Sequence, residues 1–278
     1  MLLFPNAKIN LGLSITEKRP DGYHNLLTVF YPISLADMLE FVEDPKVQKG
    51  QINITLTGIS VDGDPMHNLC VKAYHLLNED FGLPGISVHL HKIIPIGAGL
   101  GGGSADAAFM LKGLNSHFNL SVPQEKLEEY AARLGSDCAF FIRNQPVFAL
   151  ERGNVFRDIK LTLDDYFIML IHPGIHISTA EAYSQITPAI PERSPDLIVQ
   201  LPVKEWKDEL KNDFEKHILR IHPEISRIKE RLYALGALYA CMSGSGSSVF
   251  GIFSEMPSVP EYLSRYFHWC GPLKPGME

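Results

Sequence analysis

The segment Pro95-Ile96-Gly97-Ala98-Gly99-Leu100-Gly101-Gly102-Gly103-Ser104-Ala105 carries five glycines. Without Cβ atoms, successive backbone N–H groups can converge, and phosphate oxygens can approach the chain closely. The Ala- and Leu-rich stretch from Ser104 to about Leu114 reads as a helix, whose start would add the positive end of its dipole. Gly97-x-Gly99-x-x-Gly102 matches a dinucleotide fingerprint formally, but the surrounding βαβ unit is missing. A Walker A loop is excluded because no Lys-Ser or Lys-Thr follows the glycines. The absence of His-Arg-Asp and Asp-Phe-Gly argues against a protein kinase. A close-packing turn is the plain alternative to a phosphate site.

These residues need elements to hold them. Ala7, Ile9, Leu11, Leu13 and Ile15 alternate with Lys8, Asn10, Gly12 and Ser14, which predicts a strand with one buried face and places Lys8 and Asn10 together on the other. Pro20-Asp21-Gly22 is a turn, and Leu26–Leu35 a second strand, so Tyr23 and His24 lie just past a hairpin turn. Strands are expected at Gln51–Thr57 and from Ile86 to Leu90, with a helix from Leu69 to about Asn78 capped by Asn68. A helix from Gln124 to Leu134 should end on Gly135 in the left-handed conformation, with Asp137 as a candidate cap for the short helix after it. A strand at Tyr166–His172, helices between Thr179 and Leu235, and paired strands at Ala237–Met242 and Ser248–Phe253 complete the pattern. A boundary near 155–160 divides the chain into 1–157 and 158–278.

The formal net charge of -7 gives no long-range attraction for nucleic acid or an anionic membrane. No apolar run approaches the roughly 18 residues of a membrane span, and no signal or transit peptide is evident. Cys70, Cys138, Cys241 and Cys270 are scattered without zinc-site spacing and read as reduced thiols of a cytoplasmic protein.

The glycine segment, read through Asp106-Ala107-Ala108, resembles the phosphate loop of the galactokinase, homoserine kinase, mevalonate kinase and phosphomevalonate kinase superfamily. Ala7-Lys8-Ile9-Asn10-Leu11 and Met242-Ser243-Gly244-Ser245-Gly246-Ser247-Ser248-Val249-Phe250 resemble two more of its signatures, in the same order. Asp21-Gly22-Tyr23-His24 and Leu134-Gly135-Ser136-Asp137 are similar to the branch that phosphorylates the 2-hydroxyl of a cytidyl diphosphate-linked methylerythritol, in the non-mevalonate route to isoprenoids. The resemblance implies an α+β fold in two lobes, an N-terminal domain like the second domain of ribosomal protein S5 and a ferredoxin-like C-terminal domain, with the site in the cleft between them. It implies ATP and Mg2+ as cofactors, Asp137 as general base with Lys8 beside it, and a nucleotide on Pro95–Ala105 near Asn68 and Lys92. Asn10 would meet the polyol, Tyr23, His24 and Tyr183 the cytosine, and the Ser104 hydroxyl the metal or its water shell. Asp106 equally suits the helix dipole, and a helix cap and a surface lysine equally explain Asn68 and Lys92. The sequence departs from the family at Gly153-Asn154-Val155-Phe156, which lacks a second glycine and an acid. Arg143 and Arg152 receive no role. Another kinase of the superfamily, acting on homoserine or mevalonate, and a non-catalytic nucleotide-binding regulator are the alternatives.

Overall fold

A computed structural model describes residues 1–61 and 63–274. The chain runs through β1 (Leu2–Leu3), β2 (Asn6–Lys18), β3 (His24–Ala36), β4 (Met38–Glu43) and β5 (Ile52–Gly58) into helix α1 (Leu69–Phe81). Strand β6 (Ile86–Lys92) then leads through the glycine run to α2 (Gly102–His117), α3 (Gln124–Leu134), α4 (Cys138–Arg143) and the pair β7 (Val147–Leu150) and β8 (Val155–Asp158). Beyond them lie β9 (Phe167–His172), α5 (Thr179–Tyr183), α6 (Pro195–Ile198), α7 (Trp206–Glu209), α8 (Glu215–Ile221), α9 (Pro223–Ala234), β10 (Tyr239–Met242), β11 (Val249–Phe253), α10 (Glu261–Ser264) and β12 (Phe267–Pro272).

Among the described residues three sheets result, ordered β1-β4-β6-β5, β2-β3-β7-β8 and β10-β11-β9-β12. Strands β5 and β6 pair in parallel, since α1 provides the crossover that such a pair requires. A core of α1, α2 and α4 against β4 and β6, including Tyr74, Phe41, Phe140 and Leu111, fills the first lobe. A second cluster joins Ile9, Leu11, Val29 and Tyr31 of β2 and β3 to Ile168, Trp206, Tyr239 and Phe250, so the lobes share apolar packing.

Strand β2 is covered on both faces. The alternation predicts one buried face, yet every residue from Asn6 to Ile15 is buried, because the second lobe packs on the face of Ile9 and Leu11 while Gly99, Asp137, Phe30 and Thr28 surround Lys8 and Asn10 on the other. Helix α2 starts at Gly102, two residues earlier than expected, because Gly101 takes the left-handed conformation (φ 72°) and caps it. Its Cβ would lie 2.9 Å from the Phe141 ring, so no larger residue fits. Gly135 ends α3 without the predicted left-handed turn: its φ of 176° is extended, and a Cβ there would approach Cys138 Sγ to 3.3 Å.

Candidate active site

Strand β2 sets the Lys8 ammonium against three partners. Lys8 Nζ donates to Asn10 Oδ1 at 2.7 Å and to the Gly99 carbonyl at 3.1 Å, and it lies 3.5 Å from Asp137 Oδ2. It also sits 4.9 Å from the centre of the Phe30 ring. Burial lowers the Lys8 pKa below the ordinary lysine value, and the Asp137 carboxylate works against that shift. Asp137 occupies the position before α4, but its side chain makes no capping hydrogen bond. The helix-cap reading is thereby displaced, and the carboxylate, partly open to solvent, faces Lys8 and the cavity.

The glycine loop is held from below by the late glycine-rich turn. Ser243 Oγ donates to the Gly99 carbonyl at 2.8 Å and accepts from the Asn10 amide at 3.2 Å, while the Lys8 amide donates to the Leu100 carbonyl at 3.0 Å. Gly99 approaches Ser243 so closely that a Cβ would fall 1.9 Å from the Ser243 carbonyl oxygen. The loop lines a cavity of about 830 Å³ that also presents Asn68, Lys92, Ser104 and Asp137. Pro95 to Gly99 and Gly101 to Ser104 all line it, whereas Leu100 and Ala105 are buried in the core instead. The start of α2 supplies backbone N–H groups and dipole at that wall.

Asn68 caps α1, its Oδ1 accepting from the Cys70 amide at 2.8 Å, and lines the cavity as well. Lys92 is not a surface lysine: it is 4% exposed and lies between Asp37 and Asp106, with Asp106 Oδ2 at 2.7 Å. Burial above all, and the charge of Asp37, push the Asp106 carboxyl up to about 8 against the pull of Lys92. Its Oδ1 is buried with no hydrogen-bond partner.

A second cavity of about 630 Å³ brings Tyr23, His24 and Tyr183 together with Asn154 and Arg152. His24 stacks on Tyr183 with ring centres 4.7 Å apart and planes at 26°, leaving no gap for another ring between them. Tyr183 in turn packs edge-on against Phe214 at 4.9 Å. Burial and nearby Lys18 lower the His24 pKa below the ordinary histidine value. Ser136, Arg152, Thr179 and Tyr183 line both cavities. Ser136, Arg152 and Thr179 escape sequence reasoning, because single hydroxyls and a lone arginine carry no periodicity or spacing. Arg143, by contrast, is engaged by Glu128 at 2.9 Å and Asp158 at 3.3 Å.

A glycine loop over a helix start, a buried lysine paired with a carboxylate and a supporting glycine turn define a small-molecule kinase of two lobes. Residues 68–145 match the GHMP kinases N-terminal domain and residues 197–268 the GHMP kinases C-terminal domain. A protein of Bacteroides fragilis named 4-diphosphocytidyl-2-C-methyl-D-erythritol kinase is 56% identical, over 93% of this chain and 94% of its own length. One of the same name from Parabacteroides distasonis is 51% identical over 98% and 100%. A crystal structure of 4-(cytidine 5'-diphospho)-2C-methyl-D-erythritol kinase superposes with a TM-score of 0.80 at 30% identity, covering 98% of each chain. Homoserine kinase from Cytophaga hutchinsonii shares the fold, with a TM-score of 0.66 at 15% identity over 98% of this chain and 96% of its own. The chain therefore belongs to the GHMP kinases, which use ATP as phosphate donor, and within them to the 4-diphosphocytidyl-2-C-methyl-D-erythritol kinase family.

Proposed function

We infer that this chain transfers the γ-phosphoryl group of ATP to the 2-hydroxyl of 4-diphosphocytidyl-2-C-methyl-D-erythritol, in the non-mevalonate route to isoprenoid precursors. The observation that carries the site assignment is the Lys8–Asp137 pair at 3.5 Å on the wall of the glycine-lined cavity, beside Ser136, which lines both cavities. In this reading Asp137 accepts the proton of the attacking hydroxyl. Lys8 orients that carboxylate and offsets charge on the transferred group. Pro95–Ala105, with Asn68 and Lys92 at the same cavity, holds the nucleotide; Asn10 orients the polyol; Tyr23, His24 and Tyr183 receive the cytosine.

Because the His24 and Tyr183 rings touch, the base lies beside that pair, against the exposed Tyr23. Ser104, a hydroxyl-bearing residue lining the cavity at the end of the loop, suits a hard cation bound mainly by phosphate oxygens and water. Mg2+ there would neutralise charge on the nucleotide's β- and γ-oxygens. We assign the lobes to residues 1–157 and 158–278. A reducing cytoplasm suits the free thiols, three of them buried.

The test is ATP-dependent ADP release with 4-diphosphocytidyl-2-C-methyl-D-erythritol beside homoserine and mevalonate, for the wild type and Asp137→Asn. Release with the cytidyl acceptor alone, reduced in the variant by about 100-fold or more, is expected if Asp137 is the base. Release with homoserine or mevalonate instead would overturn the substrate, and an Asp137→Asn enzyme of wild-type rate would overturn the base.

A further inference from the structure

The two cavities meet at Ser136, Arg152, Thr179 and Tyr183, and of these only Arg152 carries a formal charge. It is also the only formally charged side chain lining the aromatic cavity among the described residues. Two other arginines are engaged by acids: Arg19 lies 3.1 Å from Asp21 and 3.7 Å from Glu151, and Arg143 is held by Glu128 and Asp158. Arg152 has no carboxylate within ion-pair distance among the described residues, although it acts on Asp21 at longer range. Its guanidinium instead lies over the exposed Tyr23 ring, 5.0 Å from the ring centre. An exposed guanidinium without an acid keeps its donor fork available for an anion.

An acceptor that lays a base in the aromatic cavity and a hydroxyl at Asp137 must carry its linking group across the junction. We propose that Arg152 binds the diphosphate bridge of the acceptor there, making it a specificity-determining residue for nucleoside diphosphate-linked alcohols. The inference rests on the functional reading above. The guanidinium matches two phosphate oxygens with parallel N–H donors, and the Ser136 and Thr179 hydroxyls lie on the same rim. The Tyr23 contact is a surface cation–π pair, weak enough to yield to an anionic partner.

The experiment compares the wild type, Arg152→Gln and Arg152→Lys in two measurements. In turnover, Arg152→Gln should raise the KM for 4-diphosphocytidyl-2-C-methyl-D-erythritol by about 10- to 100-fold, the range of a lost charge-assisted contact, and leave the KM for ATP within about twofold. Arg152→Lys should recover part of the loss, as a point charge without the fork. In calorimetry, the preference of the wild type for CDP over cytidine should shrink in Arg152→Gln by a similar factor, with cytidine binding unchanged. An unaltered preference for CDP overturns the proposal. Equal weakening of CDP and cytidine does so too, since Arg152 would then act on the base through Tyr23. If the wild type fails to turn over the cytidyl acceptor, the functional reading falls, and the CDP and cytidine comparison still decides the role of Arg152.

Discussion

Asp37 and Asp106 share one buried ammonium, that of Lys92, so the cluster beneath the phosphate loop holds one acid more than it has base. Burial is the larger part of what raises the Asp106 pKa to about 8. Between the unfolded carboxyl value near 3.8 and that folded value, the folded chain holds a proton that the unfolded chain has released. Stability contributed by this group is therefore full below the unfolded pKa and is lost as pH rises toward 8, no faster than about 1.4 kcal/mol per pH unit. Asp106→Asn fixes the neutral form. Urea unfolding at pH 5.5, 7 and 8.5 should show the variant gaining on the wild type as pH rises. Parallel pH profiles would show that Asp106 stays ionised throughout. Little of this cluster was legible in the sequence: Lys92 stands at a strand end where a solvated lysine is equally at home, and Asp37 lies between two strands with no motif around it. Lys8 was legible as a member of a motif, but its burial on a covered face was not.

The phosphate loop works as an element because the late glycine turn fixes it. The Gly99 carbonyl accepts from both Lys8 Nζ and Ser243 Oγ, and the backbone at Gly99 is left-handed (φ 79°) and in contact with Ser243. Gly99→Ala must both strain that φ and push the two turns apart, since its Cβ would enter the Ser243 carbonyl. A displacement of about 1 Å at a reacting centre can cost on the order of 100-fold in rate. Gly99→Ala is expected to lower kcat/KM by about that much and to destabilise the fold by about 1–3 kcal/mol. Ser243→Ala, which removes only the hydroxyl, should cost less in both respects. Steady-state kinetics with denaturant unfolding check this, and wild-type activity in Gly99→Ala would refute the rigid coupling. The glycine segments and the strands β2, β3, β5 and β6 could be read from alternation and turn chemistry. Strands β4, β7, β8 and β12 could not. β7 is only four residues long and nearly all buried, so no alternation marks it, and β12 includes Gly271 and Pro272, which argue against a strand until β9 pairs with it.

At the scale of the whole molecule, the proposed boundary near 155–160 falls at the end of β8, and an apolar cluster runs across it. Tyr31 of β3 accepts a hydrogen bond from the Leu163 amide and donates to the Leu273 carbonyl, and its side chain packs in the cluster that holds Trp206 and Phe250. The Ile15 amide of β2 donates to Asp213 Oδ2 at 2.7 Å, and the Leu13 amide to the Lys211 carbonyl at 2.8 Å. Cutting the chain after Asp158 would expose Ile9, Leu11, Val29 and Tyr31 together, all buried in the intact protein. Their burial is what makes each lobe depend on the other. The expected consequence is one cooperative transition. Both tryptophans, Trp206 and Trp269, lie beyond residue 158, so their fluorescence reports the second lobe, while far-ultraviolet circular dichroism reports the whole chain. The two signals should unfold with the same midpoint. ATP, placed by our reading on the first lobe's loop, should raise the tryptophan midpoint as well, the unfolding free energy rising by about 2.7 kcal/mol at a hundred times its Kd. Tryptophan fluorescence that ignores ATP, or a midpoint apart from the dichroism, would mean that the shared cluster does not couple the lobes. The cleft would then lie between two independently stable bodies.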